Sequence, residues 1–275
     1  SAIDEMWSGG QVRPHWTQLM QGLDLLGPVS LVRQRQEARR LLRENGVTYN
    51  VYGDPQTPSR PWELDLIPLV FDHVEWARIE QGLIQRARLL DHVLADLYGP
   101  RRLISAGLLP PELIYGSGAF LLPCDQVPQR RMLLYAADLA RGPDGRMWVL
   151  SDRTQSPLGA GYALENRTAL RRLLPQLTHE CQIRRLSFFF QTLRDQLHTS
   201  AGSKDQPRIA LLTPGPRDEA YFEHAYLASY LGYPLVQGGD LTVRDGCVWL
   251  KSIEGLRQVD ILLRRVEDHN CDPLE

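Results

Sequence analysis

Apolar positions recur at three- and four-residue spacing in some stretches of the chain and alternate in others, and the two periods divide it into helices and strands. Trp16, Leu19, Met20, Leu23 and Leu26, followed by Leu31, Val32, Ala38, Leu41 and Leu42, predict two amphipathic helices broken at Gly27-Pro28, with Gly46 as the stop. A β-compatible run over 48–52 closes at Gly53-Asp54-Pro55. The alternation over 62–67, continued through Leu69-Val70-Phe71, predicts a longer strand. Asp72 with Glu75 three residues on is a capping-box-like start, and the helix expected behind it runs over 74–97 to Gly99-Pro100. Its apolar face holds Trp76, Ile79, Leu83, Leu90, Val93, Leu94 and Leu97, with Arg78, Glu80, Arg86 and Arg88 pointing elsewhere. Short helical turns follow over 101–106 and 111–114. Residues 115–119 form a loop, read as a connector with a cleft-lining role as the alternative.

The runs 133–141 and 146–153 flank Gly142-Pro143-Asp144-Gly145, which is a hairpin signature. Helices are expected over 164–174 and 183–197. The second carries Phe188, Phe189 and Phe190, which cannot share one helix face, so at least one should meet a neighbouring element. The polar stretch 199–206 marks a boundary. Beyond it a buried-strand pattern (208–213), a turn at Pro214-Gly215-Pro216, a helix (218–231) and Leu235-Val236 make a βαβ unit, whose ligands favour the carboxyl ends of the strands. A second hairpin turns at Arg244-Asp245-Gly246, and 259–266 is the next core strand. The expected class is α/β with mixed α+β character. The expected segments are a mainly helical 1–115, a metal-binding hairpin with supporting helices at 116–205, and a Rossmann-like 206–275.

Composition adds limits. Hydrophobic residues at 43% and charged residues at 23% describe an ordinary soluble chain, and a net charge of −2 gives no reason to expect nucleic acid or an anionic membrane as partner. No apolar run reaches the length of a membrane span. Cys124, Cys181, Cys247 and Cys271 lack metal-ligand spacing, so a reducing cytoplasm is the expected home. The only lysines are Lys204 and Lys251.

Two acids stand out because each closes an apolar run at strand level: Asp138 after Tyr135-Ala136-Ala137, and Asp152 after Trp148-Val149-Leu150-Ser151. An odd-length hairpin loop puts them diagonally on one face, and an even one puts them on opposite faces. The odd loop is the expectation. Magnesium commonly takes one or two carboxylates and completes its octahedron with phosphates and water, so Asp138 and Asp152 with Thr154 or Gln155 would meet its needs. The competing reading is a pair of solvated acids near a turn. Gly159-Ala160-Gly161 precedes Glu165-Asn166-Arg167 at the start of a helix, where backbone amides attract anions; a tight turn needing positive φ explains the glycines equally well. His224 reads as a surface or packing residue, and no Gly-x-Ser-x-Gly elbow supports a hydrolase.

Several motifs together carry a family resemblance. They are residues 49–55, Arg60-Pro61-Trp62-Glu63-Leu64-Asp65, the Asp138 and Asp152 hairpin, 159–167, Leu212-Thr213-Pro214-Gly215-Pro216, Tyr221-Phe222-Glu223-His224, Gly238-Gly239-Asp240-Leu241 and Leu263-Arg264-Arg265-Val266. This set resembles the circularly permuted ATP-grasp family, type 2, over nearly the whole chain, and is more distantly similar to glutathionylspermidine and glutathione synthetases. The resemblance implies part of an ATP-dependent carboxylate–amine ligase working through an acyl phosphate, with Mg2+ and ATP, a small-molecule or peptide carboxylate and an amine. By carry-over Asp138 and Asp152 are its metal ligands, with Gln155 beside Thr154, where related synthetases hold an Asn two residues past the second acid. Gly159, Gly161 and Asn166 are its cofactor-binding residues, and Arg153 or Arg167 contacts the acyl phosphate. Such enzymes grip ATP with lysines, and Lys204 and Lys251 lie outside any matching motif. The expectation is therefore a truncated enzyme that lacks most of the nucleotide clamp and alone binds ATP weakly or not at all. The alternative is a non-catalytic α/β module for a peptide or protein partner.

Overall fold

The computed structural model describes residues 3–49, 60–121, 132–202, 204–267 and 271. In chain order, β1 (Trp7–Ser8) and β2 (Gln11–Val12) form a small hairpin, and a 3-10 turn at Pro14–Trp16 leads into α1 (Thr17–Glu44). β3 (Thr48–Tyr49) pairs antiparallel with β4 (Arg60–Pro61). Then come α2 (His73–Leu97), α3 (Arg102–Ser105), α4 (Pro111–Tyr115), β5 (Ala136–Arg141) and β6 (Met147–Arg153). The remainder is α5 (Ala160–Leu173), α6 (Pro175–Glu180), α7 (Ser187–Ser200), β7 (Ile209–Leu212), α8 (Tyr221–Leu231), β8 (Leu235–Val236), β9 (Leu241–Arg244), β10 (Cys247–Ser252), β11 (Gly255–Gln258) and β12 (Ile261–Arg264).

Contacts group the chain into two compact units, one of residues 1–3 and 71–157, the other of 4–70 and 158–275. In the larger, α1 is two helices in sequence, because Gly27 at φ 72°, ψ 162° leaves helical space and Pro28 follows. Both halves contribute to one core with α5 and α6, including Trp16, Leu23, Leu42, Leu170 and Leu177. Phe190 meets Tyr230 of α8 at 4.9 Å between centroids while Phe188 stays exposed, the division that three adjacent aromatics require. β7 is the middle of a parallel sheet with β12 and β8 at its sides, and α8 makes the β7-to-β8 crossover. A three-stranded antiparallel sheet, β9 to β11, carries the second hairpin; β11 and α6 were not legible in the periodicity.

In the smaller unit Asp72 caps α2, accepting from the amides of Val74 and Glu75. Residues 116–121 pack on the far end of that helix. Phe120 stacks on Tyr98 at 4.8 Å, and the Leu121 amide donates to the Tyr98 hydroxyl, which fits the connector reading.

Two expectations change. Residues 62–71 form no ladder of their own: the pairing stops at Pro61, and the Trp62 amide reaches only the Val47 carbonyl. Alternation here reflects a segment with one side against the core, where Leu66 is buried, rather than a sheet strand. The run at 48–52 is a strand at Thr48–Tyr49, and its remainder lies outside the described residues.

Candidate functional site

The β5–β6 hairpin has the odd loop expected of it. Arg141 pairs with Met147, the Gly142 amide donates to the Arg146 carbonyl, and Gly145 sits at φ 78°. One step further the register slips. Leu139 opposes Val149 but Asp138 opposes Ser151, so Leu150 is left without a partner as a β-bulge. Directly opposed residues share a face, and a one-residue slip inverts everything beyond it. Asp138 therefore lies with Ser151 and Arg153, while Asp152 lies with Ala137, on the other face. The shared face expected for the two acids is not formed, and the bulge is the reason.

Each carboxylate has its own cation. Asp138 accepts from the Ser151 hydroxyl and from Arg153, whose Nε and Nη2 stand at 3.0 and 2.8 Å. Asp152 receives a two-pronged bond from Arg86 of α2 at 2.6 and 2.7 Å and a third from the Tyr135 hydroxyl at 2.7 Å. Hydrogen bonds from Arg86, then Tyr135, hold the Asp152 carboxyl down at about 2, and burial with the neighbouring carboxylate pushes the Tyr135 phenol up to about 12. The Ser151 and Arg153 bonds lower the Asp138 carboxyl as well. Both acids are ionised at neutral pH. They do not fit a single shared magnesium ion, since they point from opposite faces, and both oxygens of Asp152 and Oδ2 of Asp138 already accept from guanidinium and hydroxyl donors. Among the described residues no group of three His, Cys, Asp or Glu side chains is placed to hold a metal. Gln155 is exposed in the bend after β6.

The remaining candidates belong to the larger unit. Gly159, at φ 117°, precedes α5, and its amide donates to Glu223 Oε2 at 2.7 Å. Gly161 and Tyr162 amides also act on that carboxylate. The anion at this helix start is thus a side chain of α8. Glu223 is fully buried, its other oxygen receives Arg265 Nη2 at 3.1 Å, and Arg265, just after β12, is buried too. Burial raises the Glu223 carboxyl and lowers the Arg265 guanidinium, and each is drawn back toward its charged form by the other. Beside them His224 Nδ1 lies 3.0 Å from the Thr213 hydroxyl at the end of β7, and its Nε2 has no hydrogen-bond partner among the described residues. Burial, then the charge of Arg265, pulls the imidazole down to about 4. The carboxyl end of the parallel sheet, where a βαβ unit commonly receives a ligand, is here filled by this buried cluster.

Gly161 is explained by the same contact. A Cβ there would stand 2.8 Å from Glu223 Cγ. Gly161→Ala gains about 1 kcal/mol of helix propensity but overpacks a buried contact at a cost of about 1–3 kcal/mol, so a lowered midpoint in thermal melts is the expected result. Asn166 accepts from Trp62 Nε1 at 2.8 Å, in a wall where Trp62 stacks on Tyr162 at 4.4 Å. Arg167 is half-buried and donates to the Arg184 carbonyl at 3.2 Å. Lys204 pairs with Asp260, and Lys251 donates to the Gly239 carbonyl at 2.9 Å. Of the residues that organise these sites, sequence reasoning did not assign roles to Arg86, Glu223 and Arg265; their partners lie 66, 64 and 42 residues away, beyond any spacing rule.

Among the described residues no helix is long and apolar enough to cross a membrane. Residues 68–275 match the model of a family described as circularly permuted ATP-grasp type 2. An uncharacterized protein of Mycobacterium tuberculosis is 41% identical over 278 residues, covering 97% of this chain and 31% of the relative. One from Synechocystis sp. is 34% identical over 275 residues, covering 98% of this chain and 57% of the relative. The chain thus spans between about a third and somewhat over half of these relatives' length. Among solved structures, a glutathione synthetase like-effector from Globodera pallida in apoform superposes with a TM-score of 0.50 at 16% identity, over 88% of this chain and 59% of that one. At that identity the likeness concerns the fold.

Proposed function

This chain belongs to the circularly permuted ATP-grasp type 2 family, and on that premise we propose that it is part of an ATP-dependent carboxylate–amine ligase. In this reading a substrate carboxylate attacks the γ-phosphorus of ATP and ADP leaves. An amine then adds to the acyl carbon of the mixed anhydride, giving an amide, inorganic phosphate and a proton. Positioning and electrostatics do most of the work in such transfers. The observation that carries the reading is the family match over 68–275, and the synthetase-like fold neighbour supports it.

What this chain contributes follows from its own groups. Arg153, held in place by Asp138, presents an exposed guanidinium suited to an anionic intermediate, and Arg167 is the second candidate. The amide of Gly159 is already engaged by Glu223, and both lysines are tied to protein oxygens. Nucleotide grip by this chain alone is accordingly weak, and residues 206–275 serve as a Rossmann-like, pre-ATP-grasp support. A second reading, a non-catalytic module for a peptide or protein partner, is favoured by one observation, the opposite faces of Asp138 and Asp152.

The test is ADP release from ATP in magnesium buffer with mixed amino acids and polyamines, run on this chain and on a protein of the relatives' full length. Turnover only by the longer protein, lost in its Arg153→Ala variant, is the expected result. No turnover by either folded protein would overturn the ligase reading and favour the module.

A further inference from the structure

Helix α2 is held to the β5–β6 hairpin by charge at two points. Glu75 accepts from Arg141 Nη1 at 2.6 Å near the turn, and Arg86 grips Asp152 at the other end. On an α-helix these two anchors are roughly 16 Å apart along the axis. A helix against a hairpin normally fills such an interval with interlocking side chains to interior density. Here the interval is open. A cleft of about 380 Å³ runs between the anchors, with Ile79 and Leu83 on the helix side and Leu139, Met147 and Val149 on the hairpin side.

Two further observations say what the cleft suits. Gly82 lies in the interior of α2, where glycine is a poor residue, and a Cβ built on it meets nothing within 4 Å. Its missing side chain is space in the cleft, since Gly82 is one of the lining residues. At the turn end the lining includes Arg78 and Arg146; among the described residues neither guanidinium makes a hydrogen bond or an ion pair, Arg146 acts on Asp144 only through its charge, and Glu75 is already matched by Arg141. The lining therefore combines an apolar body with two exposed guanidinium groups at one end, Arg78 and Arg146, the second of them within the field of Asp144. Its volume falls in the range of small-molecule sites, about 300–1,000 Å³.

We propose that this cleft is a binding site for a small amphipathic anion, with its oxyanion head, carboxylate or phosphate, between Arg78 and Arg146 and its apolar portion lying past Gly82 toward Leu83 and Val149. The bulge at Leu150 belongs to the device, because it turns Asp152 toward α2 and so supplies the second anchor. The site is separate from ATP turnover and is read by binding alone.

The probes are octanoate, octyl phosphate and, as neutral counterpart, 1-octanol, titrated into the chain by calorimetry. Saturable binding of one equivalent of an anionic probe is expected, with octanol weaker by about tenfold or more, as two lost charge contacts imply. Whichever of octanoate and octyl phosphate binds more tightly names the head group. The double variant Arg78→Ala/Arg146→Ala should weaken the anions by a similar factor and flatten their salt dependence. Gly82→Phe should abolish binding while the circular dichroism of the helices is kept; if it does not fold, Gly82→Leu serves the same purpose. Equal affinity for octanol and octanoate, binding indifferent to these substitutions, or no binding of either anion at millimolar concentration would overturn the proposal.

Discussion

Glu223→Ala is expected to cost about 3–5 kcal/mol of stability, among the largest effects of any single substitution in this chain. Three losses coincide. Arg265 is left as a buried guanidinium without its carboxylate, the usual reason that breaking a buried pair is so costly. The Gly159 amide loses its acceptor at the start of α5. The space vacated beside Gly161 lies in a packed interior, so it is not recovered by water. Urea unfolding with an unchanged slope is the measurement. A second variant separates charge from packing: in Glu223→Ala/Arg265→Met no charge remains buried, so a good part of the loss should return. A single-variant cost below about 1 kcal/mol would mean that the pair is solvated and the cluster is not the anchor described.

Acidification should weaken the fold in a window set by His224. The imidazole is pulled from its ordinary 6.5 to about 4 in the folded protein, by burial and then by Arg265. The unfolded chain thus binds a proton more readily than the native one. The stabilisation is fully present above about pH 6.5, falls as the pH drops toward 4, and amounts to about 3 kcal/mol at most. Glu223, whose carboxyl is raised by burial, and Asp218, raised likewise, face the same pocket, so the difference between wild type and His224→Leu isolates the histidine. From pH 7.5 to 4 the unfolding free energy of wild type should fall more steeply than that of the variant. Parallel curves would show that His224 is not the group responsible. The hairpin acids act lower on the scale: Asp152, held at about 2, contributes above its ordinary value of 3.8 and loses that contribution only as the pH falls further.

How far these features were legible in the sequence depended on distance along the chain. The capped start of α2, the break at Gly27, the βαβ unit and the division among the three phenylalanines all follow from rules that act over a few residues, and the sequence carried them. The hairpin loop was legible too. The bulge was not, because nothing in Leu150 itself distinguishes an unpaired residue from a paired one, and the contact that goes with it, Arg86 on Asp152, joins elements 66 residues apart. Gly159 and Gly161 illustrate the same limit. Either an outside anion or a tight turn accounted for them, and the third possibility, a carboxylate from α8 pressed against the helix start, needs tertiary structure to be seen. The family resemblance was recognisable for a different reason: its motifs are many and spread over the chain, so their joint occurrence is specific where each one alone is weak.

The buried cluster also bears on the order of folding. Its bonds join residues 64 and 42 positions apart, whereas the β5–β6 turn closes over five. Contacts between distant segments repay their loop-closure entropy only once the intervening chain is arranged. The carboxyl end of the parallel sheet is therefore completed late, after β7, α8 and β12 have met. Until then Glu223 and Arg265 remain hydrated and apart, and the start of α5 stays frayed.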